Sequence, residues 1–253
     1  MAGVQYSLRR RYLASLLGAE LATAVASSSA PDEQVETSPV EPALHRAHLD
    51  LAAPRSIILN ETDLSHADLS AMDLRSADMY RTNLTRANLN QADLRAANLS
   101  HAILNEVDLS EANLNRAVLR RAIVSKTDLR KARMVEADLT WAFFRWTDLR
   151  EADLSAANLQ GADLRNVDAS ATTFAGADLR WADLRNTNLR GADLRRARLD
   201  GVVLNSARWS TQTRWPVEFA EKIRNASVEE SPGVFLYGPG RADDHAQSEP
   251  VPV

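Results

Sequence analysis

The chain has 253 residues, and its 34 acidic and 30 basic side chains give a formal net charge of −4. This balance lacks the basic excess expected of a protein that binds nucleic-acid phosphates directly. Cysteine is absent, which excludes a disulfide framework, a zinc knuckle and thiol chemistry, and no run of about 20 apolar residues predicts a membrane span.

Two segments precede the main pattern. Residues 1–26 carry an apolar stripe at helical spacing, which predicts an amphipathic helix that covers an end of the following domain or mediates assembly, in a cytoplasmic protein. The alternative is a signal for twin-arginine export, since residues 9–13 (RRRYL) are similar to the R-R-x-F-L pattern and residues 24–26 (AVA) to a cleavage site. Residues 27–55, which open on a stretch rich in Ser, Pro and Glu, are predicted to be a flexible linker and an N-terminal cap.

Residues 56–210 repeat with a period of five. All 31 residues found by stepping in fives from Leu59 to Trp209 are apolar, and most of them are leucine. A small residue, usually Ala, Thr or Val, stands two places earlier, and Asp or Asn usually fills the place between, so the unit is A-[D/N]-L-x-x. A period of five fits neither an α-helix nor a flat strand. We therefore predict that four units close a square coil, with the large and small columns inside, and that coils stack as parallel strands into a rod about 37 Å long.

This unit closely resembles the pentapeptide-repeat family, and the resemblance covers about 155 of the 253 residues. It implies an all-β solenoid, the right-handed quadrilateral parallel β-helix, without catalytic activity. Some bacterial members of the family imitate B-form DNA, bind type II topoisomerases such as gyrase, and protect them from quinolones or peptide toxins.

Residues 20 apart should share a face of such a rod, and one face departs from the pattern. Ile, Ile and Phe occupy its Asp/Asn position on three consecutive coils, with tryptophans at the adjoining corners and an arginine column beside them. Aromatic residues and arginine are typical of interface hot spots. We predict that this aromatic–arginine face binds a protein partner or a second copy of the chain; the alternative is a ladder that stacks only on itself. The face comprises Ile103, Ile123, Trp141, Phe143, Arg145, Trp146, Arg165, Trp181 and Arg185.

The next face carries an acidic ladder, whose four aspartates should lie about one strand spacing apart. Arg145 and Arg165 at the neighbouring corner can offset their repulsion. The favoured interpretation is that the carboxylates accept backbone N–H groups at the corners and so stabilise local turns. The ladder consists of Asp108, Asp128, Asp148 and Asp168.

Residues 211–253 should close the open end of the rod. Trp215-Pro216 precedes Val217, Phe219 and Ile223, which predicts a short helix whose apolar side caps the last coil. The polar, proline-containing tail from about residue 229 is expected to be mobile.

The sequence predicts a binding protein and not an enzyme. Its five histidines are scattered, and we expect no catalytic residue, metal or cofactor. The preferred function is a scaffold that binds a protein partner. The alternative is a DNA mimic that binds gyrase. The nine acids against four bases in residues 56–115 favour this alternative, but the formal net charge of residues 56–210 is zero, which argues against it. Direct nucleic-acid binding is not expected, because arginines and aspartates are interspersed.

Overall fold

The computed structural model describes residues 57–238. The predicted N-terminal helix or export signal, the linker up to residue 55 and the tail beyond residue 238 lie outside this range. Within it, no helix is long and apolar enough to cross a membrane.

The described chain winds into a four-sided coil. Parallel bridges join residues 20 apart, beginning with Ile58 and Asp78. Each bridge residue is the one that stands between the small and large columns, so the Asp/Asn position forms the middle of every side. We number the faces by their bridge residues: face 1 runs from Ile58 to Arg198, face 2 from Asp63 to Val203, face 3 from Asp68 to Arg208, and face 4 from Asp73 to Arg214.

The core is a stack of side chains from the two inward columns. Large residues such as Leu109, Met134 and Phe174 have no exposed surface, and the small residues two places before them are at most 1% exposed. Burial of each large apolar side chain contributes about 1.5 to 3 kcal/mol. Because every coil packs mainly on its neighbours, these layers hold the rod together along its whole length.

Every fifth residue from Glu61 to Ser206 turns a corner with a positive φ, between 54° and 70°. Only four of these thirty corner residues are glycine. At most corners the next N–H closes a turn onto the large residue's carbonyl, as from Ala112 to Leu109 at 3.1 Å. The positive φ at the third residue of the turn is that of a type II turn. Non-glycine residues accept this conformation here because the corner is bonded to the next coil, as from Glu111 N–H to the Arg130 carbonyl at 2.9 Å.

Threonines in the small column complete the hydrogen bonding of the corner between faces 2 and 3. The carbonyl of Phe144 accepts the turn N–H of Thr147 at 3.1 Å. The carbonyl of Val124 instead accepts the Thr147 hydroxyl from the following coil, and the Leu164 carbonyl accepts the Thr187 hydroxyl at 2.7 Å. Each of these buried carbonyls therefore has a donor.

The C-terminal end is closed by a small sheet and a helix. The strands are β1 (Arg208–Ser210), β2 (Ser227–Ser231) and β3 (Val234–Tyr237), paired antiparallel in the order β1-β3-β2. Helix α1 spans Val217–Asn225 and buries Phe219 and Ile223.

Two features of this end differ from the sequence-based expectation. The coil does not stop at Trp209, because a one-residue insertion lets Arg214 bridge Asp193, 21 residues earlier. The prediction of a mobile tail from about residue 229 is wrong for residues 229–237, which belong to β2, β3 and the turn between them. The ring of Phe235 in β3 stacks on Trp209, with centroids 4.4 Å apart, and so covers the end of the core.

Candidate protein-binding surface

An apolar strip runs along the middle of face 2. Bridges place Ile103, Ile123 and Phe143 on three consecutive coils, about 4.8 Å apart. They are 36%, 38% and 45% exposed, respectively, whereas the large residues of the inward column are buried. The repeat thus exposes a contiguous apolar surface at positions where its consensus residue is polar.

The strip lacks a bond that the consensus residue supplies. Where Asp or Asn stands in the middle of a side, its Oδ1 usually accepts the N–H two residues later, as between Asp108 and Ser110 at 2.9 Å. The side chains of isoleucine and phenylalanine cannot accept a hydrogen bond. Within residues 57–238, the N–H groups of Asn105, Ser125 and Arg145 accordingly have no side-chain acceptor. Three consecutive coils forgo bonds that contribute about 0.5 to 1.5 kcal/mol each.

The three tryptophans of the face occupy two different settings. Trp146 lies at the corner between faces 2 and 3 and is 62% exposed. Trp141 and Trp181 lie at the corner between faces 1 and 2, and each ring covers a glycine of the next coil. A Cβ atom on Gly161 would be 2.5 Å from Cε3 of Trp141, and one on Gly201 would be 2.5 Å from Cδ1 of Trp181. Sequence reasoning missed these glycines, although Trp and Gly alternate there at intervals of 20 residues.

The arginine column forms an ion-pair network with the next two coils of face 2. Arg145 Nε lies 2.5 Å from Asp163 Oδ2, and Arg165 Nη2 lies 2.7 Å from the same oxygen. Arg185 Nη2 lies 2.6 Å from Asp183 Oδ2. Burial raises the pKa of the Asp163 carboxyl, against the effect of the Arg145 hydrogen bond. The apolar strip therefore continues into a network of three arginines and two aspartates.

The acidic ladder has other cationic partners than those expected. Arg145 and Arg165 do not offset it, because both pair with Asp163 of their own face. Two of its aspartates are instead paired with arginines of face 3, the first through Arg130 Nη2, which lies 2.6 Å from Asp128 Oδ2. Burial acts against it, but hydrogen bonds from Arg130 keep the pKa of Asp128 below its ordinary value. Asp148 has the same arrangement with Arg150, also at 2.6 Å.

All four ladder carboxylates accept the backbone N–H two residues later. The distances from N to Oδ1 lie between 2.9 and 3.1 Å. Asp108 and Asp168 also accept the hydroxyl groups of Ser110 and Ser170. The geometry of the ladder is thus that of local turn capping. In the described part of the chain, no group of His, Cys, Asp or Glu side chains is arranged to hold a metal ion.

Comparison with known proteins identifies the repeat. A family model described as pentapeptide repeats matches in eight copies, over residues 58–91, 92–130, 112–150, 147–186 and 177–208. A comparison with curated protein sequences gives no match.

Several solved structures are similar to the chain. HetL, a pentapeptide repeat protein involved in heterocyst differentiation regulation from the cyanobacterium Nostoc sp. strain PCC 7120, is 35% identical, with a TM-score of 0.60 over 68% of this chain and 74% of HetL. Rfr23, a pentapeptide repeat protein from the cyanobacterium Cyanothece 51142, is 28% identical over 37% of this chain and 63% of its own, with a TM-score of 0.37. QnrB1, a plasmid-mediated fluoroquinolone resistance protein, is 19% identical over 67% of this chain and 95% of its own, with a TM-score of 0.32. None of these matches indicates an enzyme family.

Proposed function

We propose that this chain, which belongs to the pentapeptide-repeat family and shares its right-handed four-sided β-helix, is a non-catalytic scaffold that binds a protein partner through the aromatic–arginine face. The observation that carries the proposal is the apolar strip of Ile103, Ile123 and Phe143, exposed on three consecutive coils. Contiguous exposed apolar surface on a soluble protein is typical of binding sites.

The missing turn caps strengthen this proposal. Aspartate or asparagine at the three positions would add a hydrogen bond to each coil, as Asp108 does. The strip therefore reduces stability relative to the consensus of its own repeat. Residues that lower stability in this way are expected at functional sites, where they are retained because binding needs them.

The consensus also supplies a sharp test, since Ile123→Asn and Phe143→Asn install the residue that the repeat ordinarily uses. We expect the double variant to unfold at the same denaturant concentration as the wild type or at a higher one, and to lose its binding to the protein partner. Val118→Asn is the matched control, because Val118 occupies the same position on face 1, between Asn98 and Asp138.

Binding is measured by cross-linking in cell extract followed by affinity purification of the wild type and both variants. The partner is the protein that the wild type and Val118→Asn retain and the double variant loses. Equal recovery by all three chains would refute the assignment of the face. Sedimentation equilibrium of the same purified proteins tests the other form of the proposal, in which the partner is a second copy.

A gyrase-binding DNA mimic is the competing function, and the acidic start of the repeat favours it. Residues 56–115 carry nine acids against four bases. The ion pairs of Asp128 and Asp148 on face 3 argue against it, since a mimic of the DNA backbone needs rows of uncompensated negative charge. The test is a gyrase supercoiling assay with purified protein, with and without a fluoroquinolone. Inhibition or drug protection would support the mimic, and no effect at low micromolar protein would remove it.

For location we propose the cytoplasm, with twin-arginine export as the alternative that the sequence leaves open. Cell fractionation of the full chain decides between them. Export that stops when Arg9 and Arg10 are both changed to lysine would establish the alternative.

A further inference from the structure

We propose that an acidic segment of the chain itself, residues 31–44, docks on the apolar strip of face 2 and competes there with the protein partner. The inference rests on the proposed function, because it assigns an intramolecular occupant to the same face. The observation that carries it is the positive charge on both sides of the strip.

One coil of the rod has an unusual charge. Residues 116–135 make a single turn and carry seven arginines and lysines against one acidic residue, Asp128. Four of the seven cations pair with Asp128 or with carboxylates of neighbouring coils, namely Arg116, Arg120, Lys126 and Arg130. Within residues 57–238, the side chains of Arg121, Lys131 and Arg133 form no ion pair. This coil therefore has a surplus of positive charge.

Two of these cations border the apolar strip. Arg121 and Lys126 are exposed at the two corners of face 2, on the coil whose middle residue is Ile123. Lys126 Nζ lies 4.0 Å from Glu106 Oε1, but Arg86 Nε already binds that carboxylate, 2.9 Å from Oε2. At the corners beside the three strip residues, Glu106 is the only acidic residue. The strip therefore fits an occupant in which carboxylates flank apolar side chains.

The acidic segment has this composition. Residues 31–44 read PDEQVETSPVEPAL, with four acids, no base, and apolar side chains at Val35, Val40 and Leu44. Its three prolines favour an extended chain over a helix. The tail beyond residue 238 fits less well, because its three acids are accompanied by Arg241.

The length of the connecting chain lets the acidic segment reach the strip. Asp63 and Ile123 are three coils apart on face 2, about 14 Å along the rod. The 13 residues from 45 to 57 can span about 45 Å when extended. A tether of this kind gives the segment an effective concentration in the millimolar range at the strip. A protein partner then has to displace the segment before it can bind.

Disulfide trapping in the purified full chain tests the docking. The chain has no cysteine, so an introduced pair reports a single contact. Ser38→Cys with Ser125→Cys, the strip pair, joins the acidic segment to face 2. Ser38→Cys with Val135→Cys, the control pair, uses the equivalent position on face 4, where the apolar strip is absent. In a glutathione redox buffer, we expect the effective concentration of the strip pair to exceed that of the control pair about tenfold or more.

Charge reversal separates docking from mere proximity. Arg121→Glu with Lys126→Glu should lower the effective concentration of the strip pair about fivefold. Lys131→Glu with Arg133→Glu makes the same change of charge on the same coil but away from face 2, and should leave the strip pair unchanged. Changing the four acids of the segment to lysine should restore trapping in the Arg121→Glu, Lys126→Glu background, which a folding defect or an altered thiol reactivity would not allow.

Four results would overturn the proposal. They are equal effective concentrations for the strip and control pairs, an equal effect of the two charge reversals, a disulfide that joins two chains instead of one, and equal trapping at Ser125→Cys by Gln247→Cys in the C-terminal tail. The purified chain is measured without a partner. A negative result would therefore leave the Phe143→Asn experiment on the protein partner unaffected, and retention of the partner by that variant would leave a positive trapping result standing.

Discussion

Substitution of Thr147 by valine removes one buried hydrogen bond and almost nothing else. The carbonyl of Val124 accepts the Thr147 hydroxyl, and it has no other donor within the described chain. Valine has the shape of threonine, and Val167 occupies the same column one coil later. Because both Val124 and Thr147 are at most 1% exposed, water cannot replace the lost donor. An unsatisfied buried carbonyl costs about 1 to 3 kcal/mol, and we expect the free energy of unfolding to fall by that amount.

Thr172→Val is the matched control. The Thr172 hydroxyl donates to the Leu149 carbonyl at 2.7 Å, but that carbonyl also accepts the Ala152 N–H at 3.0 Å and remains bonded in the variant. The free energy of unfolding of Thr172→Val should therefore fall by less, about 0.5 to 1.5 kcal/mol. Urea titrations followed by circular dichroism compare the two, provided that the m-values agree. Equal destabilisation by both variants would refute the view that each corner carbonyl needs one donor.

Two further predictions concern the corners and the ion pairs. Gly161→Ala and Gly176→Ala both place alanine at a positive φ, but only Gly161→Ala puts a Cβ against a ring, that of Trp141. We expect Gly161→Ala to lower stability more and to change the tryptophan emission. Identical emission spectra for the two variants would contradict the packing of Trp141 on Gly161. The hydrogen bond from Arg195 lowers the pKa of Asp193 below its ordinary value, so this pair stabilises the fold above about pH 4, the unfolded value, and the contribution is lost as the pH falls through the lower folded value. Asp193→Asn should therefore make the urea midpoint less dependent on pH below about 4, and an unchanged pH profile would exclude that role.

The core could be predicted from the sequence because its residues repeat without a gap. A repeat period other than five would place leucines such as Leu109 and Leu114 on the outer surface of the rod. The structure instead buries both completely. The exposed strip was predictable for the same reason, since Ile103 and Phe143 break a rule that many other coils obey. A regular pattern makes each departure from it visible.

The corners and the C-terminal end were less predictable because their determinants are not in the pattern. Positive φ is rare for residues such as Glu111 and Trp141, so local preference argues against the conformation that bonding between coils imposes. The hairpin of β2 and β3 was overlooked because Glu229 and Glu230 make its first strand polar. Its signal was nevertheless present, as Pro232-Gly233 followed by VFLY is typical of a turn and a strand.

The repeat allows structural and functional residues to be separated by comparison within one chain. Asp108 and Phe143 occupy equivalent positions on adjacent faces, and both are flanked by parallel bridges to the coils on either side. Asp108 caps its turn and so has a sufficient structural explanation. Phe143 forgoes that bond and exposes 45% of its surface, so folding alone does not explain it. If Phe143→Asn raises the stability of the rod while it abolishes the association of the chain with its partner, the two requirements at this position are opposed; a variant that loses stability instead would mean that Phe143 serves the fold.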